Sequence, residues 1–387
     1  MNARERFHQV MDFQPGRTLK WEFGYWGAAV RRWYQEGLVE QSGLPEDVAD
    51  GAGVHGGGAG WRPGRPLGTD VNRTCQLDEG LQRIKVNNYL APLFEEKILE
   101  EEQDWILVRN EIGLIEKRSK TRSSLSSYIE GPVKSPADWE ELKAERLQPT
   151  LDGRLPEDWD QLLEGYRTRS FPLALGGGQG FFGTPRFLLG EVEVLTIFYD
   201  QPDLIRRIID DLADFWIALY DQLLDLVDFD LVLIWEDLCY NNGPLISPDT
   251  FREFLLPGYK KLTGFLRDRG LTKIIVDTDG DVWKLLPLFL EGGVTGMYPF
   301  EVKAGMDVAE VRQAFPQLGM LGGFSRTSLT AGKAEIDAEL EGKVVPLLEG
   351  GGYIPYMDHL VPPDVSWENF YYYRTRLNDL IDQHPKR

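Results

Sequence analysis

Two aspartates one residue apart, Asp277 and Asp279, end the apolar run KIIVDTD at 273–279. Positions i and i+2 of a strand face the same way, so both carboxylates are expected on one side. Close carboxylates repel, so either one retains its proton or a cation lies between them. His359 ends a second apolar run, YIPYMDH at 353–359. A neutral imidazole beside carboxylates suits zinc, and carboxylate-rich sets suit magnesium or manganese. Asp277, Asp279 and His359 therefore form a candidate site for a divalent metal. The other histidines are weaker candidates: His8 lies in a helical stretch, His55 in a glycine-rich one and His384 near the end.

Polar residues close the other apolar runs too. LVLIWED at 231–237 ends in Trp235, Glu236 and Asp237, and GMYPFE at 296–301 contains Tyr298 and Glu301. GMLGGFS at 319–325 leads into Arg326, PLALGGG at 172–178 into Gln179, and TLKWEFGYW at 18–26 carries Glu22. Glu236 is expected as a general base or fourth ligand, with Asp237 beside it as a second catalytic acid. Trp235, Tyr298, Gln179, Arg326, Glu22, Phe182 and the neighbouring Phe181 are expected to line the substrate pocket. Any one of these acids could equally cap the helix that follows it. Five acids on four strand ends are harder to explain as caps alone.

What must position them is a repeated strand and helix. From residue 170 short apolar runs alternate with helical patterns, at 202–227, 248–269, 282–290, 308–315, 334–349 and 366–383. Such alternation predicts a parallel sheet, and strands apolar on both faces predict burial on both sides. Polar residues at nearly every strand end favour a (β/α)8 TIM barrel, whose sites gather at that end. An open doubly wound sheet shares the rhythm, but no Gly-x-Gly-x-x-Gly follows the first strand. The expected architecture is one domain over 1–387. Residues 1–170 hold an N-terminal extension, the first strands and a β-hairpin at 105–119 inserted into the barrel; residues 171–387 hold the remaining strands and helices. The stretch GAGVHGGGAGWRPGRPLG at 51–68 cannot hold a helix and reads either as a surface linker or as a lid over the site.

Composition narrows the partners. With 42 Lys and Arg against 62 Asp and Glu, the net charge is −20, which disfavours nucleic acid and anionic membranes. No run approaches the ~20 apolar residues of a membrane helix, and no apolar signal core follows Met1. Two cysteines, Cys75 and Cys239, are too few for a disulfide framework, and neither is expected as a ligand. A cytoplasmic protein is expected, and the oligomeric state is left open.

From about 170 to 383 the chain resembles the uroporphyrinogen decarboxylase superfamily, which includes cobalamin-dependent methyltransferases. The resemblance rests on ISPDTFREF at 246–254 with Pro257 and Tyr259, the strand end at 273–280, and His359-Leu360-Val361-Pro362-Pro363 before Glu368-Asn369. Arg4-Glu5-Arg6-Phe7 also fits. It implies a TIM barrel. In the thiol methyltransferases of that group a His-x-Cys pair and a later Cys hold zinc. The matching positions here are Asp277, Asp279 and His359, so the sulfur ligands are replaced. The arginines with which the decarboxylases hold a polycarboxylate are missing, and Lys20-Trp21-Glu22-Phe23 stands in that region. The resemblance thus implies metal-dependent methyl transfer between a small substrate and a corrinoid carried by a partner protein. The alternatives are a metal-free decarboxylase or lyase with His359 as proton donor and Arg326 on a carboxylate, and a non-catalytic ligand-binding barrel.

Overall fold

The computed structural model describes residues 1–59, 66–120 and 127–384. Its centre is a seven-stranded sheet: β1 (Gln82–Arg83), β2 (Leu173–Gly176), β3 (Leu231–Trp235), β4 (Ile274–Asp277), β5 (Gly296–Tyr298), β6 (Gly319–Leu321) and β7 (Tyr353–Ile354). Every neighbouring pair is parallel and strand order follows chain order without reversal. A doubly wound sheet requires a reversal; a barrel does not. The fold is a TIM-like α/β barrel, as expected.

Residue parity divides its two faces. Leu231, Leu233, Ile275, Leu321 and Ile354 belong to an inner apolar cluster. Val232, Ile234, Ile274, Val276 and Met320 belong to the outer cluster under the helices. The long helix Pro202–Leu224 buries Leu204, Ile205, Ile208, Leu212, Phe215, Leu219 and Leu223 on that layer, the 3.6-residue stripe of a core-facing helix. Each such side chain contributes roughly 2 kcal/mol by leaving water.

Between β7 and β1 lies the segment 18–23. The sequence predicts a strand over 18–26, but only Gly24–Trp26 joins a ladder, antiparallel to Gly53–His55. Trp21 and Phe23 still point into the inner cluster. Isolated parallel bridges at Glu22 with Gly57 and at Tyr25 with Val361 take the place of a continuous ladder. The Glu22 carboxylate accepts the backbone N–H of Met357 and of Phe23, both at 2.9 Å.

The predicted hairpin is present and larger than expected. Trp105–Arg109 and Ile115–Ser119 pair antiparallel, joined by a turn in which Asn110 Oδ1 accepts from Ile112 and Leu114. Lys97–Glu101 and Ser127–Glu130 extend it to four strands. Of the glycine-rich stretch, 53–59 is buried against the barrel rather than a surface linker. A Cβ on Gly80 would lie 2.7 Å from the Gly57 Cα, so only glycine permits this approach. Residues 60–65, where the lid reading also falls, lie outside the described residues. Among the described residues no helix is long and apolar enough to cross a membrane.

At the opposite end of the barrel, fully buried Asp230 accepts from Arg4 and His8 at 2.7 Å, and from Arg169 and the Leu173 N–H at 2.8 Å. Burial pushes its carboxyl up, but His8, Arg4, Arg169 and Leu173 outweigh this and hold it well below the usual carboxylate range. A depressed native value stabilises the fold above the unfolded value of about 3.9, and that contribution is lost as pH falls through the native value. Asp230→Asn should therefore cost ~3 kcal/mol at pH 7. Urea midpoints of variant and wild type should converge as pH drops below about 4. A constant difference from pH 7 to pH 3 would contradict the assignment.

Candidate active site

The inward-facing residues nearest the C-terminal strand ends define the barrel mouth. Asp277 is buried and stands in register with Trp235 on one side and Tyr298 on the other. Across the barrel, Arg83 of β1 is buried and donates to the Ala59 carbonyl at 3.1 Å, to the Tyr298 hydroxyl at 3.3 Å and to the Gly177 carbonyl. Phe23 packs near Tyr298 and Tyr356, and His359 stacks on it with ring centroids 5.5 Å apart. His359 Nε2 lies 3.7 Å from Asp279 Oδ2. On the β1–β3 side a cavity of about 240 Å³ opens between Arg83, Ile84, Val86, Gln179, Phe187 and Trp235. Gln179 and Trp235 line that cavity, and Tyr298 stands at the strand ends in register with Asp277.

The candidate metal ligands are only partly brought together. The strand ends at Asp277, so the i, i+2 rule no longer governs Asp279 in the connection beyond it. Asp279 is 36% exposed and joins His359 at the rim, whereas Asp277 stays within the barrel, beside Tyr356. Among the described residues no three His, Cys, Asp or Glu side chains are arranged to hold a metal ion.

Several expected site residues face elsewhere, and parity explains it. Glu236 follows inward Trp235 and points outward. Its carboxylate accepts the N–H groups of Phe181, Phe182 and Gly183 at 2.8, 2.7 and 3.0 Å, together with the Tyr259 hydroxyl. It holds the start of the helix Gly183–Leu189 rather than serving as a base or ligand at the mouth. Burial pushes its carboxyl up against the pull of those four donors. Phe181 and Phe182 belong to the outer cluster, not the pocket wall. Glu22 also points outward, 3.4 Å from the buried Arg374, and not toward substrate. Asp237, at φ +48°, pairs with Arg186 at 2.5 Å on the rim. Arg326 pairs with Glu301 at 2.8 Å, and Glu301 also accepts from the Gly280 N–H. Buried Asp358 lies beside that pair, its carboxyl pushed up by burial to about 6. Arg83 was not among the expected residues, because a two-residue strand shows no readable pattern. The only signal was the alternation of Leu81 and Arg83 after Gly80.

A family model for uroporphyrinogen decarboxylase (URO-D) matches residues 124–375. The chain belongs to the uroporphyrinogen decarboxylase family. Among solved structures, one described as a candidate vitamin-B12-independent methionine synthase from Listeria monocytogenes is 12% identical, with a TM-score of 0.34 over 57% of this chain and 69% of that one. The 3-keto-D-glucoside 4-epimerase of E. coli is also 12% identical, with a TM-score of 0.33 over 58% of this chain and 84% of that one. No curated protein matches.

For this member of the uroporphyrinogen decarboxylase family, the two thiols are free and buried. Burial pushes the Cys239 thiol up to about 12 while its contact with Thr278 pulls it down, and Cys75 rises to about 12 as well. Both are poor nucleophiles in that state. Removing the Glu236 carboxylate strands three backbone N–H groups at the entry to the helix Gly183–Leu189, and a hydroxyl. Glu236→Ala should lose ~3 kcal/mol in urea denaturation, whereas Asp279→Ala at the rim should change stability by no more than about 0.5 kcal/mol. Equal losses in the two variants would overturn this division between support and mouth.

Proposed function

We propose that this chain is an acid–base enzyme acting on a small carboxylate in the barrel mouth, with carboxy-lyase chemistry as its reaction class. The observation that supports it is the buried Arg83 guanidinium in the wall of the mouth cavity. A guanidinium is a fixed fork that matches a carboxylate. A cavity of about 240 Å³ is near the small end of ligand pockets, suited to a small molecule. Loss of carbon dioxide leaves a carbanion that a placed acid must protonate. In this reading Asp277 inside the barrel and His359 beside Asp279 at the rim hold or move that proton.

Methyl transfer to or from a corrinoid on a partner protein is the second reading. What favours it is the approach of Asp279 to His359, at two of the three positions where the family resemblance implies metal ligands. A divalent ion there, zinc included, is part of that reading only. Metal analysis of the purified protein and a chelator series on turnover separate the two. On the first reading, activity survives chelation, Arg83→Gln raises KM at least about tenfold, and Asp277→Asn lowers kcat by about 10²-fold or more. Joint loss of bound metal and activity in Asp279→Ala would favour methyl transfer instead. Turnover of any kind excludes a silent ligand-binding barrel.

A further inference from the structure

The mouth cavity is lined by one cation, Arg83, and by the rings of Trp235 and Phe187, and one connection runs past both. After β2, the Gly177 carbonyl accepts from Arg83 and the Gln179 carbonyl accepts from the Trp235 N–H at 2.9 Å. Gly177 and Gln179 are two residues apart, so the guanidinium and the strand bearing the indole are anchored on the same short connection, and both side chains line the one cavity. The indole is fixed as well as near. It stacks on Phe187 with centroids 5.2 Å apart and planes 5° from parallel. A Cβ on Gly183 would come within 2.6 Å of the indole. Gly183 and Phe187 are four residues apart on one helix and share a face, so together they back the indole. Phe187 is itself braced edge-on at 5.5 Å by Tyr128 of the inserted sheet. Ile84 and Val86 add apolar wall.

We propose that this cavity selects a planar aromatic carboxylate, with its ring on Trp235 and its carboxylate on Arg83. The inference rests on the reading of Arg83 as a carboxylate anchor and adds the chemical class of the rest of the substrate. A rigid flat ring gains stacking energy beyond its buried area, which a puckered ring of similar size does not. A cationic ligand, which an indole would otherwise attract, is disfavoured by Arg83 in the same wall.

Titration calorimetry on the full chain with benzoate, cyclohexanecarboxylate, acetate and benzamide tests it. Benzoate should bind about tenfold or more tightly than cyclohexanecarboxylate, with acetate and benzamide weaker than both. Trp235→Leu should erase the preference for benzoate while retaining carboxylate binding, with Trp235→Phe keeping much of it; circular dichroism confirms that each variant is folded. Equal affinity for benzoate and cyclohexanecarboxylate overturns the aromatic selection and leaves the carboxylate anchor standing. Benzamide binding as tightly as benzoate overturns the anchor itself, and no binding by any of the four overturns both. The wild-type ranking decides the matter even where a variant does not fold.

Discussion

At one seam the barrel is joined by a buried carboxylate together with a few isolated backbone bridges rather than a continuous ladder. Glu22 is fully buried, and it takes the Met357 N–H on one side while its own backbone meets Gly56 and Gly58 on the other. Burial pushes its carboxyl up, and Arg374 and the backbone donors pull it back down. Arg374 is itself tied to the Trp21 carbonyl at 3.1 Å and to Asn378 at 2.8 Å. Removing one partner of a buried pair costs far more than the pair's net contribution to stability. The ends of the chain are therefore bound to each other through the charge that sets the position of Phe23, and Phe23 is the surface on which His359 rests.

From that seam the mouth follows by parity. Once Trp21 and Phe23 face inward, the inward set elsewhere consists of Arg83, Trp235, Asp277, Tyr298 and Tyr356, and their sequence neighbours face the helices. The acids then fall into two kinds. Asp277 and Asp279 reach the mouth and its rim. Glu22 and Glu236 serve the outer layer, where each satisfies backbone N–H groups that would otherwise be buried without acceptors. Chemical type is the same in both kinds, and only direction separates them.

The inserted sheet is connected to this arrangement through aromatic rings. Tyr128 meets Phe187, Phe187 meets Trp235, and Arg186 lies 5.8 Å from the Tyr128 ring while pairing with Asp237. The sheet's outermost strand, Lys97–Glu101, is exposed throughout and contributes nothing to the barrel core. The end of the sheet nearest the barrel is thus the part that bears on the site.

The sequence by itself determined the parallel strand–helix repeat, the hairpin near 110, and the presence of polar residues at the strand ends, because these depend on local period and turn chemistry. It did not reveal β1, since two residues carry no period, and so Arg83 went unseen. Nor could it show that Asp279 leaves the strand line or that Glu236 turns outward. A one-residue change in where a strand stops reverses which side a carboxylate faces. That stop is set by packing across the barrel and along its seam, between residues more than 300 positions apart, and only the tertiary structure contains it.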